Sequence, residues 1–203
     1  MLSSLLLTAS VAWAAAGSLF ETGSHCVAYK VEKVVFFVKK DAVVGRNCDV
    51  SAQVLPEVGG LYHIEVNIPI RSFKSGEGDR DRDVMKILKA DEKPDLTFVS
   101  KPMAAEDWRG LFAKGEFDIE GNLQMGGKSY PVKLNSKYVE SGGSAEVDGM
   151  ARVRFSDFDL KPPRVGGGIL AKVKPDFELH FHFVSHRILG ADSIKLPTGG
   201  KSQ

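Results

Sequence analysis

The sequence lacks the short motifs by which many enzymes and nucleotide-binding proteins are recognised. It contains no glycine-rich phosphate loop after a strand, no Cys-x-x-Cys pair, no nucleophile elbow and no His-Glu-x-x-His segment. It also lacks an excess of either charge, because 27 basic and 26 acidic residues are interspersed and the net charge is +1. These absences argue against catalysis, against a nucleic-acid partner and against binding to an anionic membrane surface.

Long hydrophobic runs are also missing, whereas a membrane-spanning helix needs about 20 consecutive apolar residues. The short apolar run at residues 5–11 is followed by small residues, and both Ala12-Trp13-Ala14 and Ala14-Ala15-Ala16 match the small-x-small pattern of a cleavage site. We therefore expect residues 1–16 to be a secretory signal peptide, with a buried N-terminal strand or helix as the alternative. The mature protein is then expected in the periplasm or outside the cell.

Cysteine is scarce, since Cys26 and Cys48 are the only two. In an exported chain such a pair predicts a disulfide, whose closed loop would stabilise the fold by about 3 kcal/mol. If the first two strands turn near Asp41, however, Cys26 lies opposite a residue near position 56, and a bridge requires the N-terminal segment to fold back. Two free thiols, and ligation of haem or a metal, therefore stay open as alternatives.

Alternation of apolar and polar residues is the strongest positive signal in the sequence. Between residues 61 and 70, the apolar positions fall two apart at Tyr62, Ile64, Val66, Ile68 and Ile70. The alternation recurs over 111–119, 145–155 and 173–183, and Gly126-Gly127 reads as the turn of a hairpin. Short strands joined by turn residues predict an all-β fold, an antiparallel sheet closed into a barrel of about eight strands.

One segment, near residues 82–90, predicts a short helix. Asp81 or Asp83 can cap its start, and its apolar residues fall on one face at i, i+3 and i+4. Pro94 prevents the helix from continuing, and the strand pattern resumes directly afterwards at Leu96. The sheet is therefore expected to carry a helical insertion at this point.

The residues that alternation places inside the barrel mix large and very small side chains. The large ones are Phe117, Tyr130, Phe155, Phe177, Phe181 and Phe183, and the small ones are Ala113, Gly115, Gly149 and Ala151. Small barrels either fill with side chains or hold one small ligand. Inward glycines favour a ligand cavity, although they are equally typical of bends in a strand. Because no polar cluster faces inward, the ligand would be apolar over most of its length.

Histidines supply the best metal-ligand pattern in the sequence. His180 and His182 leave the same face of one strand, His186 is nearby, and imidazoles suit zinc or copper. No third ligand follows at a defined spacing. We therefore favour the polar outer face of a strand, and the sequence predicts no metal site.

An ordered set of segments resembles the YceI-like family of exported polyisoprenoid-binding proteins. The set extends over about residues 27–188 and includes Ile68-Pro69-Ile70-Arg71-Ser72, Arg82-Asp83, Leu88-Lys89-Ala90-Asp91, Lys93-Pro94-Asp95-Leu96-Thr97-Phe98-Val99-Ser100, Gly115-Glu116-Phe117-Asp118-Ile119-Glu120-Gly121 and Tyr130-Pro131-Val132. Each segment is an ordinary strand or turn, and the order and spacing of the whole set carry the resemblance.

The resemblance implies an extended, lipocalin-like antiparallel barrel with a helical insertion. Its apolar tunnel would hold one long polyisoprenoid lipid noncovalently, of the isoprenoid quinone or polyprenyl phosphate type, for transport or storage. Neither a cofactor nor an enzymatic activity is implied. The expected lining is Phe117, Tyr130, Phe155, Phe177, Leu179 and Phe181. At the mouth, the lipid headgroup could meet Arg71, Arg82 or Lys128.

The same resemblance assigns residues 17–190 to the lipid-binding domain and leaves residues 191–203 as a flexible C-terminal tail. A homodimer stays open, as does transient contact with a membrane or with membrane enzymes. The alternative function is an exported barrel with a redox, haem or metal-linked role through Cys26, Cys48, His180 and His182.

Overall fold

The computed structural model describes residues 19–35, 39–141, 144–165, 171–194 and 196. The predicted signal peptide at residues 1–16 lies outside the described residues, as do residues 197–203 at the end of the predicted tail.

The described chain is built mainly from β-strands, twelve of which join in one sheet. Nine of them have six or more residues: Cys26–Val35 (β1), Lys39–Asn47 (β2), Ser51–Glu57 (β3), Leu61–Pro69 (β4), Asp95–Ser100 (β5), Glu116–Met125 (β7), Lys128–Ser141 (β8), Ser144–Arg154 (β9) and Ala171–Val184 (β11). The other three are two-residue strands: Met103–Ala104 (β6), Arg164–Val165 (β10) and Ile188–Leu189 (β12).

The strand order in the sheet is β12-β3-β4-β5-β7-β8-β9-β11-β1-β2, with β6 beside β4 and β10 beside β11. The pairs are antiparallel except for β12 with β3, which is parallel. Strands β12 and β2 lie at opposite ends of this order, and the sheet curls into a half-barrel. The predicted all-β, antiparallel, lipocalin-like architecture is confirmed, but the strand pairing of the described residues does not close the barrel.

The hairpin predicted at Gly126-Gly127 is confirmed. Met125 at the end of β7 pairs with Lys128 at the start of β8. The two glycines between them have φ angles of 58° and 80°. Both angles lie in the left-handed region that a two-residue hairpin turn needs, which explains why glycine occupies both positions.

The predicted helix is present, but it begins earlier than expected, at Gly78–Ile87 (α1) rather than near residues 82–90. No side chain caps its start, so the capping role predicted for Asp81 or Asp83 is wrong. Asp81 instead accepts hydrogen bonds from the backbone N–H and the hydroxyl of Ser75, at 2.9 and 2.5 Å. The carboxylate thereby orders the loop that leads into α1.

A second helix, Ala105–Phe112 (α2), occupies part of the segment in which alternation predicts a strand over residues 111–119. Its Trp108 is fully buried and donates Nε1–H to a backbone carbonyl of β4 at 3.0 Å. Strand β7 begins after the turn that follows α2, so the inward positions predicted at Ala113 and Gly115 are wrong. A short apolar run does not by itself distinguish a helix from a strand.

The first hairpin brings the two cysteines together. In the register of β1 with β2, Val35 pairs with Lys39. Carried back along both strands, this register places Cys26 opposite Cys48, and the two form a disulfide. The predicted bridge is therefore confirmed. The observed register places Cys48 rather than a residue near position 56 opposite Cys26, so the register expected from a turn near Asp41 is wrong and the N-terminal segment does not have to fold back.

The chain after β12 packs on the domain instead of leaving it. Residues Ala191–Ile194 form a short 3₁₀ helix. Ala191, Ile194 and Leu196 are buried, and the accessible fraction of Ile194 is 0%. The flexible tail predicted from residue 191 is therefore wrong for the part that the structure describes. Three apolar side chains spread over six residues make no periodic pattern, which is why this contact is hard to predict.

Candidate functional site

The curled sheet encloses an inner cavity of about 120 Å³. Its walls come from most of the long strands, and α2 contributes Phe112. Among the described lining residues only Tyr29 and His180 are polar, and the imidazole of His180 is bonded to Glu178 on the outer face of the sheet. A space with such walls favours an apolar ligand.

A larger outer cavity of about 370 Å³ lies between the sheet and α1. The helix lines it with Val84 and Ile87, Leu88 directly after the helix also lines it, and none of the helix residues is buried. The opposite wall is aromatic and aliphatic and includes Met125, Phe155, Phe158, Leu160 and Phe177. Helix α1 therefore covers an apolar space, and none of its residues is fully buried, although the half-buried Met85 packs against the core.

The two cavities adjoin, because five residues line both of them: Tyr29, Phe73, Leu96, Leu123 and Leu179. The rings of Tyr29 and Phe73 have centroids 5.6 Å apart and are inclined at 47°. The shared residues lie where the inner and the outer cavity meet, and we call this place the constriction. We refer to the two cavities together as the tunnel.

Charged side chains line the outer cavity near α1: Lys33, Glu77, Asp79, Arg80 and Asp83. Both cations have carboxylate partners. Arg80 pairs with Glu77 at 2.7 Å and donates to the carbonyl of Ser75 at 3.2 Å, while Lys33 pairs with Asp41 at 3.3 Å. Carboxylates thus outnumber cations on this side of the tunnel.

Tyr29 has an unusual environment at the constriction. Its hydroxyl is buried and makes no hydrogen bond of good geometry with a described residue. The Ser75 hydroxyl, which donates to the Asp81 carboxylate, is close by but does not meet the Tyr29 hydroxyl with hydrogen-bond geometry. Burial, followed by the negative charge of Asp81, raises the pKa of Tyr29 above its usual value, so the phenol is protonated at neutral pH.

Four of the six predicted lining residues reach the tunnel. Leu179 lines both cavities, Phe181 lines the inner one, and Phe155 and Phe177 line the outer one. The rings of Phe155 and Phe177 have centroids 4.6 Å apart. Three of the four residues come from β11, where the alternation predicts the cavity-lining positions but not burial, because His182 and Val184 on the other face are buried as well.

Phe117 and Tyr130 line neither cavity of the described structure, which corrects their predicted positions. Phe117 is buried, but Phe112 of α2 packs edge-on against it with ring centroids 5.4 Å apart. Tyr130 packs against Phe158, and its hydroxyl lies 3.3 Å from the carboxylate of Asp159. Helix α2, which the alternation does not predict, covers Phe117, and the contact with Asp159 holds the Tyr130 hydroxyl.

The three predicted headgroup residues are engaged in ion pairs and line neither cavity. The pairs are Arg71–Asp91, Arg82–Asp79 and Lys128–Asp159. The cations that do line the outer cavity are Arg80 and Lys33, and no pattern in the sequence singles them out.

The inward glycine at position 149 does not leave open space. Gly149 pairs with Phe181 across β9 and β11, and a Cβ at Gly149 would overlap the Phe181 ring. A Cβ at Gly121, which pairs with Ser100, would likewise overlap the ring of Phe98 in β5, and also the backbone carbonyl of Val99. The small residues on the inner face therefore admit rings from neighbouring strands, and the tunnel lies beyond those rings.

The two histidines of β11 are held by carboxylates. The Nε2 atom of His180 lies 3.0 Å from Glu178, and the Nδ1 atom of His182 lies 2.6 Å from Asp148. Among the residues that the structure describes, no group of three or more potential ligands could hold a metal ion. The disulfide also occupies both cysteine sulfurs, so neither is a thiolate ligand.

Solved structures with the same fold include BcnA from Burkholderia cenocepacia, with 21% identity, a TM-score of 0.55 and coverage of 77% of this chain and 95% of that one. A YCEI protein from Campylobacter jejuni has 18% identity, a TM-score of 0.53 and coverage of 72% and 86%. A polyisoprenoid binding domain from Saccharophagus degradans, implicated in plant cell wall breakdown, has 13% identity, a TM-score of 0.54 and coverage of 78% and 92%. At such identities the similarity concerns the fold.

Within the described residues, no helix has the length and hydrophobicity needed to span a membrane. A comparison with curated proteins gives no match. The model of the YceI-like domain, in contrast, matches residues 23–185, which include every strand from β1 to β11. The chain therefore belongs to the YceI-like domain family.

Proposed function

We propose that this protein binds one long polyisoprenoid lipid in the tunnel and carries or stores it without catalysing a reaction. The observation that carries the proposal is the wall of the inner cavity, where only Tyr29 and His180 have polar side chains. Each Å² of apolar ligand surface withdrawn from water contributes about 25 cal/mol, so a long hydrocarbon chain is retained without a strong polar anchor.

Family membership supports this choice of ligand. The chain has a YceI-like domain over residues 23–185. The Saccharophagus degradans domain of the same fold is a polyisoprenoid binding domain. In this protein the aromatic and aliphatic wall extends from the inner cavity through the constriction to α1, which suits an elongated apolar ligand.

We place the protein in the periplasm or outside the cell. The Cys26–Cys48 disulfide is of the kind that persists in oxidising compartments. The small-x-small pattern before residue 17 supports cleavage on export. Intact-mass analysis of the exported protein should therefore give a chain that begins close to residue 17, whereas a chain that retained Met1 would contradict this location.

The ligand is tested by expressing the chain with its N-terminal segment, purifying the exported protein without detergent, and extracting it with organic solvent. Mass spectrometry of the extract should show a polyisoprenoid in near-stoichiometric amount. An extract without lipid, together with a crystal structure whose interior is filled by side chains alone, would contradict the proposal.

A pair of matched variants separates tunnel binding from loss of fold. Leu179→Trp places a bulky ring where the two cavities meet, whereas Leu189→Trp makes the same change at a leucine whose exposed fraction is 69%. We expect the first variant to lose most of the bound lipid and the second to keep it. Circular dichroism establishes that both variants are folded. Equal lipid content in the two folded variants would contradict binding in the tunnel.

A further inference from the structure

Tyr29 places the one phenol of the tunnel lining at the constriction between the two cavities. We infer that its hydroxyl donates a hydrogen bond to an uncharged oxygen at the polar end of the bound lipid. This contact would make the tunnel select an isoprenoid with an alcohol or carbonyl end over one that ends in a phosphate. The inference rests on the proposed binding of an isoprenoid in the tunnel.

The position of the ring is set by its neighbours. Tyr29 pairs with Gly45 across β1 and β2, and its ring occupies the space that a Cβ at Gly45 would take. On another side it packs against Phe73. The ring is therefore fixed between the two cavities, and a ligand that extends through the constriction must pass its hydroxyl.

The hydroxyl has an unused capacity for a hydrogen bond. It is buried, and no described residue bonds to it with good geometry. The nearby Ser75 hydroxyl donates to Asp81 at 2.5 Å, and although it could still accept a hydrogen bond, the Tyr29 hydroxyl does not meet it with hydrogen-bond geometry. Buried polar groups normally have a partner, and leaving one without is unfavourable. An oxygen atom of the ligand would supply the partner that the protein does not.

The charges around the outer cavity disfavour a phosphate at this place. Its two lining cations, Arg80 and Lys33, are paired with Glu77 and Asp41. The lining also includes Asp79 and Asp83, which are paired with Arg82 and Lys86 outside the lining, and Asp81 is close enough to influence the Tyr29 hydroxyl. A phosphate would face these carboxylates without an unpaired lining cation among the described residues, whereas an uncharged oxygen needs only a donor.

The test compares lipid-free wild-type protein with Tyr29→Phe, using three probes: geranylgeraniol, geranylgeranyl phosphate and squalene. We expect wild type to bind the alcohol more tightly than the phosphate. In Tyr29→Phe the Kd for the alcohol should rise by about three- to tenfold, the value of one neutral hydrogen bond, with squalene binding unchanged. The matched control is Tyr130→Phe, whose hydroxyl lies beside Asp159 and outside the tunnel; it should leave all three Kd values unchanged.

Thermal unfolding shows whether the Tyr29 hydroxyl binds the ligand or instead stabilises the protein itself. Because the Tyr29 hydroxyl has no good bond within the described protein, Tyr29→Phe should not lower the Tm of the lipid-free form. Equal binding of the alcohol by wild type and Tyr29→Phe, or tighter binding of the phosphate by wild type, would overturn the inference while the lipid function stands. Failure of wild type to bind any of the three probes would overturn both.

Discussion

The ring of Tyr29 in β1 lies across Gly45 in β2, so closely that a Cβ on Gly45 would overlap it. Gly45 lies within a strand and does not have a positive φ angle, so the backbone conformation does not require glycine there. Glycine is needed there because the ring of Tyr29 occupies the space of a Cβ. The empty position at Gly45 thus determines where the constriction between the two cavities lies.

Gly45→Ala should therefore disturb the constriction. The added methyl group must displace the Tyr29 ring, and overpacking of this kind costs about 1–3 kcal/mol in the free energy of unfolding. We expect weaker lipid retention as well, because the displaced ring enters the tunnel. Urea denaturation and lipid extraction measure the two effects. The double variant Gly45→Ala with Tyr29→Leu should recover much of the lost stability, and independent, additive effects of the two changes would contradict direct contact.

Strand alternation predicts which face of β11 points inward, but it does not predict which inward residues remain uncovered. Phe181 and Phe117 look alike in the sequence, since both are aromatic residues in alternating strands. Only Phe181 reaches the tunnel, because Phe112 of α2 packs against Phe117. That contact depends on a helix whose Trp108 is anchored to β4, far away in the sequence. Local periodicity contains no information about such a contact.

The constriction is hard to predict for a related reason. Tyr29 and Gly45 become neighbours only through the register of β1 with β2. That register differs from the one expected from a turn near Asp41. A shift of a few residues changes every cross-strand pair, so the ring and its glycine cannot be matched from the sequence alone.

The apolar face of α1 is predicted to matter more for lipid binding than for folding. Ile87 lines the outer cavity, and no residue of α1 is buried. Ile87→Ser should therefore cost the lipid-free protein less than about 2 kcal/mol, well below the usual effect of truncating a buried residue. With lipid bound, Ile87→Ser should also make smaller the increase in the free energy of unfolding that the lipid provides. Urea denaturation with and without lipid measures both quantities.

The control for this prediction is Phe112→Ala in α2, because Phe112 is buried with an accessible fraction of 4%. It should cost about 3–5 kcal/mol in the lipid-free protein. If Ile87→Ser were as destabilising as Phe112→Ala without lipid, helix α1 would be part of the core rather than a cover of the outer cavity.

Glu178 connects three strands on the outer face of the sheet. Its carboxylate accepts hydrogen bonds from Lys30 at 3.1 Å and Arg152 at 3.0 Å, and it lies 3.0 Å from Nε2 of His180. Burial alone would raise the pKa of Glu178, but the hydrogen bonds outweigh burial and lower the pKa to about 2. The ionised form is thus favoured by folding.

The lowered pKa of Glu178 determines in which direction, and over which pH range, the stability of the fold changes with pH. Because the folded state binds the proton less tightly, the contribution of Glu178 is complete above the ordinary glutamate pKa of 4.5 and is lost as the pH falls toward 2. Urea denaturation of wild type and Glu178→Gln should differ by up to about 3 kcal/mol at pH 7, and the difference should shrink through this window. The control is Glu116→Gln at an exposed position. A difference that stayed constant with pH would contradict the assignment.

The Cys26–Cys48 disulfide is predicted to stabilise the fold without selecting the lipid. It joins the start of β1 to the chain just after β2, and neither cysteine lines a cavity, although the neighbouring Val27 lines the inner one. Replacing both cysteines with serine should lower the free energy of unfolding by about 3 kcal/mol, the chain-entropy value for a loop of this length. Urea denaturation measures the change, and lipid extraction should give the same isoprenoid as wild type. Reductant should weaken wild type by a similar amount and leave the double variant unaffected. A stability of wild type that did not respond to reductant in denaturant would show that the bridge contributes nothing to folding.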